Sequence, residues 1–476
     1  MSRSLKTALV GVAGAVALAC AVNPATGRKE LSLVSESQEV AMGQEGAKET
    51  RATIGLYPDS GVQQLVARVG QRLAGETERP SLPWSFQVVD DPAVNAFAFP
   101  GGPIFVTRGL LAYLNSEAEL AAVVGHEIGH VTARHTAAAI SRAQVAQLGL
   151  GLGMVLSSDV RRFGGVASQG LGLLLLKYGR DAESQADELG FRYALANGYD
   201  VREAAKTFQT FARLGEGSGQ RLPQWLSTHP DPGNRAERAR ERAAALPPEK
   251  LQGLAVDRDA YLRTIDGLIF GANPRQGYFQ GATFLHPDLA FRLEFPPGWT
   301  ASNMASSVTA LNPEKNAQLE LTLAGQTAPA QALGAFLAQR GVQRAPGTDG
   351  TGSINGLPAA YSAFTAVTES GTLQGYVAFI GYDGHTYRLL GLTTQSLQAM
   401  GPVFERSIRT FGRLTDRTAL NIQPARIQIV KLPRAMSFRQ FLQQYPSTVP
   451  DQQVALINFV EPDDGLPAGR LMKRVR

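Results

Sequence analysis

Two imidazoles four residues apart, with a carboxylate beside the first, mark the stretch His126-Glu127-Ile128-Gly129-His130. On a helix, residues i and i+4 project from one face. Both rings can therefore grip one zinc ion, with Glu127 to one side, where an attacking water would lie. The neighbouring sequence predicts that helix. Ser116 followed by Glu119 has the pattern of a capping box, an apolar run leads into the motif, and Val131 to Ala143 is alanine-rich. Four of the six histidines, His126, His130, His135 and His229, fall in the first half of the chain.

A third ligand must come from elsewhere. The pattern H-E-x-x-H-x-x-G-x-x-H is not met, because Ala133 stands at the glycine position and His135 comes one place early. On a continuous helix His135 lies about 180° from His126, by the 3.6-residue period, so a surface or packing role is expected for it. Glu183 is the better candidate. It sits in Tyr178-Gly-Arg-Asp-Ala-Glu-Ser-Gln-Ala-Asp187, where Ala182, Ala186 and Gly190 form a small-residue stripe and Asn197-Gly198 a C-terminal stop. Glu183 and Asp187 are i and i+4. Glu183 can ligate a metal while Asp187 accepts a hydrogen bond from a ligand histidine; the same pair also fits two solvated carboxylates on an outer face. Gly125 and Gly129 each cost the helix about 1 kcal/mol relative to alanine. Close approach of a strand or substrate backbone accounts for them, and so does a neutral packing compromise.

Four stretches in order resemble the superfamily of HtpX and the CAAX prenyl endopeptidases, zinc metalloproteases of gluzincin type, in its periplasmic lipoprotein branch. They are Asn95-Ala-Phe-Ala-Phe-Pro-Gly-Gly-Pro-Ile-Phe-Val-Thr-Arg-Gly-Leu-Leu111, the H-E-x-x-H helix, Arg180-Asp-Ala-Glu-Ser-Gln-Ala-Asp187 and Ser227-Thr-His-Pro-Asp-Pro-Gly-Asn-Arg235, together spanning roughly residues 30–245. The resemblance implies one zinc per chain on His126, His130 and Glu183, with Glu127 as general base. It puts His229 near the metal, where it stabilises an oxyanion or caps the open position, and has Arg235 shape that side of the cleft. Thr-His-Pro equally suits a loop histidine. A His₂Glu set leaves a fourth position to water. The Asn95 to Thr107 segment predicts a strand pair around Gly101-Gly102; in the resembling family such an edge strand pairs with an extended substrate, and an ordinary hairpin beside the helix fits as well.

The chain begins with a basic segment and an apolar run, Ala8 to Ala19, too short to span a bilayer, and then Cys20, the single cysteine. Residues 1–19 are expected to be a signal peptide. Cys20 resembles a lipobox cysteine, implying a lipid anchor, although Ala17 stands where leucine is usual; plain cleavage nearby is the alternative. Ala21 after Cys20 favours the outer membrane within the periplasm. No disulfide is possible, and 44% hydrophobic residues in a chain of 476 suffice for a core. Two apolar stretches, Leu148 to Leu156 and Gly170 to Leu176, lie in an insertion (147–177) expected to act as a lid or to be buried.

A multidomain α+β protein is expected. Residues 20–250 read as a mainly helical protease domain with a small sheet, and 251–277 as a linker. Residues 278–413 read as an α+β domain distantly like PsbP or Mog1, with a hairpin at Asp383-Gly384. Residues 414–476 resemble a βααβ LysM module. That resemblance implies contact with peptidoglycan, and an intramolecular docking role suits the segment too. The net charge of +5 comes from scattered basic residues, and without a recognised module it gives no footing for nucleic-acid binding. The reading is a zinc metalloendopeptidase of the cell envelope acting on unfolded or misassembled proteins. The alternatives are an assembly chaperone with a gated, largely silent site, or a peptidoglycan-binding protein.

Overall fold

The computed structural model describes residues 20–149, 178–217, 225, 228, 229, 231–368 and 371–476. The expected signal segment and, from residue 150, the insertion lie outside the described residues. The chain forms two compact units. One comprises residues 1–51, 55–271 and 425–476, the other 52–54 and 272–424.

The first unit opens with a short hairpin, β1 (Cys20–Val22) and β2 (Lys29–Leu31). Helices α1 (Glu36–Thr53) and α2 (Ser60–Gly75) follow. Asp59 caps α2 by accepting from the Val62 amide at 3.0 Å. Strands β3 (Ser85–Val89), β4 (Ala96–Ala98) and β5 (Pro103–Thr107) form a three-stranded sheet in the order β3-β5-β4, with β3 and β5 parallel and β4 and β5 antiparallel. The expected strand pair is thus present, and its turn uses Gly101 and Gly102 at φ of 78° and 125°, where side chains are disfavoured.

Helix α3 (Arg108–Tyr113) leads to α4 (Glu117–Thr132), which carries H-E-x-x-H. Ser116 Oγ accepts from the Glu119 amide at 3.1 Å, while the Glu119 carboxylate reaches one residue further back than a capping box requires, to the Asn115 amide at 2.8 Å. Arg134, at φ 59°, ends this helix, and α5 (His135–Gly149) starts in a new direction. Further helices are α6 (Arg180–Ala196), α7 (Glu203–Gly217), α8 (Pro232–Ala244) and α9 (Arg258–Thr264). Helix α9 lies inside the stretch expected as a linker, yet its Tyr261 and Leu262 are buried in the same core as Leu120, Val124 and Ile128 of α4. A helix of seven residues, about two turns, with two adjacent buried side chains is too short a signal to reveal that docking.

Residues 425–476 run through β6 (Ile427–Lys431), a short strand Met436–Ser437, α10 (Phe438–Gln444), α11 (Asp451–Asn458), a short strand Gly465–Leu466 and β7 (Leu471–Val475), with β6 and β7 antiparallel and the two short strands paired with each other. Their own core holds Phe438, Phe441, Val454 and Met472. Ile427, Ile457, Leu471 and Val475 instead join the core of the H-E-x-x-H region. Lys473 is fully buried and donates to the carbonyls of Ala112 and Leu114 at 2.9 and 2.8 Å, at the end of α3.

The second unit is built on an eight-stranded antiparallel sheet with helices Pro329–Leu337 and Leu397–Ile408. In its strand Ala317–Leu323, Leu319 and Leu321 are buried while Leu323 is exposed, so the apolar alternation ends one pair earlier than the sequence implies. The predicted hairpin joins Gly371–Tyr382 to His385–Thr393 through Asp383 and Gly384, both at positive φ, as a two-residue primed turn requires.

Candidate metal centre

Helix α4 presents His126, Glu127 and His130, and α6 presents Glu183 and Asp187. What lets these helices meet is the absence of side chains at the crossing. A Cβ on Gly129 would lie 2.8 Å from the Ala186 carbonyl oxygen, and one on Gly125 would lie 3.0 Å from that of Gly190. The close approach expected for these glycines is real, but the backbone approaching is that of helix α6 rather than a strand or a substrate. Since the Gly125–Gly129 and Ala186–Gly190 spacings are both four, the contact runs along one ridge of each helix.

The crossing brings four buried groups together. One ligand atom each from His126, His130, Glu183 and His229 lie within 4.8 Å of one another. His126 Nε2 stands 3.0 Å from His130 Nε2 and 3.1 Å from His229 Nδ1. Glu183 places Oε2 3.4 Å from His126 Nε2 and Oε1 3.4 Å from His130 Nε2. A tetrahedron with bonds of about 2.0–2.1 Å has edges of roughly 3.3–3.4 Å. The donor set therefore has the dimensions and the nitrogen–oxygen chemistry for one zinc ion. Electrostatics agree. Burial and Arg235 oppose charge on the His126 ring, yet its hydrogen bonds to Asp187 and Glu183 outweigh them and push it up to about 9. A cluster that draws a proton between its donors offers the same field to a cation. Burial by itself would raise the Glu183 carboxyl, but the His126, His130 and His229 rings hold it far below the usual carboxylate range. Burial keeps the His130 ring neutral, the form in which an imidazole ligates.

Asp187 accepts from His126 Nδ1 at 2.9 Å and takes both Nε and Nη2 of Arg235, at 2.9 and 2.6 Å. Arg235 is fully buried between the rings of Phe208 and Trp225, 4.4 and 4.5 Å from their centroids. Its Nη1 lies 3.2 Å from Glu183 Oε2. Trp225 also stacks on His229 with the ring centres 5.0 Å apart. Glu127 points at the same space. Its Oε1 is buried and finds no hydrogen-bond partner among the described residues, with His229 Nε2 3.6 Å away. Burial raises its carboxyl pKa, against the pull of His229 and His126.

The structure thus gathers every histidine and carboxylate expected at the site, and Arg235 with them. Cys20 lies apart, in β1. It also adds His135, which is not on the surface but 6% exposed. Its Nδ1 is 2.8 Å from His130 Nδ1 and its Nε2 is 2.8 Å from Gln185 Oε1. The 180° extrapolation fails because the helix stops at Arg134. Tyr178, whose ring stacks on His130 at 4.0 Å, and Trp225, four residues before His229, were also not singled out by spacing. The i to i+4 relation of Trp225 to His229 was the available signal.

Comparison with known proteins agrees with this geometry. The sequence profile of Peptidase family M48 matches residues 61–243. The mitochondrial metalloendopeptidase OMA1 of Arabidopsis thaliana is 32% identical over 205 residues, 43% of this chain and 40% of that protein. The Beta-barrel assembly-enhancing protease of Escherichia coli is 30% identical over 248 residues, 50% of each. The OMA1 of Schizosaccharomyces pombe is 32% identical over 228 residues, 46% of this chain and 65% of that protein. The chain spans about half the length of the first of these curated relatives. The matched segment contains the glycine-paired helices and the whole His-Glu cluster, so residues 61–243 are similar to Peptidase family M48 and fit the HtpX-like metalloprotease superfamily.

Proposed function

We propose that this protein is a zinc-dependent endopeptidase of the bacterial cell envelope, cleaving unfolded or misassembled proteins. The observation that carries the reading is the buried convergence of His126, His130, Glu183 and His229 beside a Glu127 oxygen that has no hydrogen-bond partner. His126, His130 and Glu183 would hold the zinc, which supplies a Lewis acid for the scissile carbonyl and makes a water more acidic. Glu127 takes the proton from the attacking water as its oxygen bonds to the carbonyl carbon. It then delivers that proton to the amine nitrogen as the C–N bond breaks. The raised pKa of its carboxyl makes it a better base for this task. Asp187 and Arg235 hold His126 and Glu183 in place.

An extended peptide can add to β4, which has one ladder partner, β5, within the sheet. Backbone groups would do most of that binding, so sequence preference would be loose. The envelope setting is supported by the kinship with the Beta-barrel assembly-enhancing protease, and no described helix is long and apolar enough to cross a membrane. In this reading the protein is periplasmic, anchored to the outer membrane by a lipid on Cys20.

One observation favours the gated variant of this reading. His229 Nδ1 lies 3.0 Å from Glu183 Oε1 and 3.1 Å from His126 Nε2, so it completes a four-donor set of the closed kind. His229 then caps the position that water and substrate need, and the protein acts mainly as an assembly chaperone until the histidine withdraws. The β-α-α-β segment supports a weaker third reading, peptidoglycan contact through residues 414–476; retention of the full-length protein on isolated sacculi tests it. For the main reading, Glu127→Gln should keep one equivalent of zinc and lose casein cleavage, while His126→Ala should lose the metal. Cleavage retained in Glu127→Gln would falsify the assignment. His229→Ala separates the two roles, since it raises turnover if the residue caps and lowers it if it stabilises the oxyanion.

A further inference from the structure

The two ligand histidines of α4 are oriented in different ways. His126 turns its Nδ1 to a carboxylate, Asp187. His130 has no carboxylate on its Nδ1 among the described residues; that nitrogen faces His135. We propose that His135 and Gln185 form an uncharged relay that fixes the orientation and tautomer of His130, making both of them positioning residues for the metal site. The inference deepens the proposed function and rests on it.

The proton order along this relay follows from one requirement. For His130 to ligate through Nε2, the nitrogen that faces His126 and Glu183, its Nδ1 must carry the proton. That N–H donates to His135 Nδ1. His135 must then carry its own proton on Nε2, and it donates to the Gln185 amide oxygen. One acceptor oxygen on α6 therefore sets the tautomer of a ligand on α4, two hydrogen bonds away, each 2.8 Å long. In the reverse order His130 Nε2 would bear a proton and could not bind the metal.

The fold goes to some length to place His135 there. An unbroken helix would carry it away from His130. Arg134 takes a left-handed conformation that costs a non-glycine residue about 1 kcal/mol or more, and it is pinned in that turn. Its Nε donates to the buried Glu39 at 2.5 Å and its Nη2 to the Val34 carbonyl at 2.6 Å. Asn23 donates to the Ala133 carbonyl at 3.1 Å, covering the C-terminal end of α4. On the other side Tyr178 stacks against the His130 ring, with its hydroxyl 2.8 Å from Thr136 Oγ1. The ring is held by face and edge together.

Metal affinity of the full-length protein tests the relay, measured by chelator competition beside the absorption spectrum of the cobalt-substituted form. His135→Leu removes the acceptor at similar volume and should weaken zinc binding about 10- to 100-fold, the usual cost of losing such a partner. His135→Asn offers an oxygen near the lost Nδ1 and should restore affinity to within a few-fold of wild type. Gln185→Leu, at a half-buried position, should weaken binding without unfolding the chain and guards against a folding defect in the first variant. Wild-type affinity in both leucine variants overturns the relay. So does equal weakening by His135→Leu and His135→Asn, which would mark a packing role. If the wild-type chain itself binds no zinc and His126→Ala changes nothing, the endopeptidase reading fails as well; zinc binding that ignores only positions 135 and 185 leaves that reading intact.

Discussion

Gly190 lies so close to Gly125 that a Cβ on it would stand 2.7 Å from both the Gly125 carbonyl carbon and the His126 amide nitrogen. Those atoms are backbone and cannot swing aside. Gly190→Ala should therefore force α4 and α6 apart, at a cost of about 1–3 kcal/mol for the overpacking, and should weaken zinc binding because Glu183 moves with its helix. Gly125→Ala, whose nearest clash is 3.0 Å, should do less on both counts. Denaturant unfolding and chelator competition measure the pair. Equal stability and affinity for wild type and Gly190→Ala would show that the crossing does not set the site.

Arg235 tests the other support. Its fork grips both oxygens of Asp187 in a site with no solvent exposure. Arg235→Lys keeps the charge but loses the two-pronged contact and the stacking on Trp225 and Phe208, and should cost about 2 kcal/mol. Asp187→Ala leaves a buried guanidinium without that partner and should cost more, about 3–5 kcal/mol. Urea midpoints rank the two variants; the opposite ranking would contradict the argument.

Lys473 carries a third prediction. Burial lowers the Lys473 ammonium pKa to about 7, against the pull of Glu119, and Lys473→Ala would strip the carbonyls of Ala112 and Leu114 of their buried donor. Leaving buried carbonyls without their donor costs about 1–3 kcal/mol. Hydrogen exchange should speed up in peptides covering 108–120, far away in sequence. Protection lost only within 425–476 would mean that the lysine serves its own segment alone.

In the second unit His286 gives a pH dependence. Burial lowers its ring pKa to about 4, against the pull of Asp288. A histidine whose folded pKa lies below its unfolded value of about 6.5 takes up protons more readily when unfolded. Its destabilising effect is absent above pH 6.5, grows as pH falls, and is complete near pH 4. Strands Thr283–His286 and Phe291–Glu294 should lose exchange protection over that window, and His286→Asn should flatten the loss. An unchanged acid profile in the variant would assign the effect to other groups.

The sequence carried the H-E-x-x-H helix because its information is local: a cap, an i to i+4 pair and an apolar run. Glu183 was also legible, through its own i to i+4 partner Asp187. His135 was not. Its place depends on a left-handed residue at Arg134, which is held by Glu39 nearly a hundred residues earlier, and no periodicity contains that. Gly125 and Gly129 announced a close approach without saying what approached. The expected linker hid α9, because burial of Tyr261 and Leu262 depends on partners distant in sequence. In the sequence Lys473 counts only as one more basic residue in the net charge, and only tertiary packing makes it a buried donor.

That lysine reaches across 361 residues to touch Ala112. Ribosomes deliver a chain from its amino end, so the H-E-x-x-H helix emerges long before the strand whose lysine covers the carbonyls at the end of α3. Partial products halted before residue 471 would carry the motif but leave the carbonyls of Ala112 and Leu114, and the core that Leu471 and Val475 complete, uncovered.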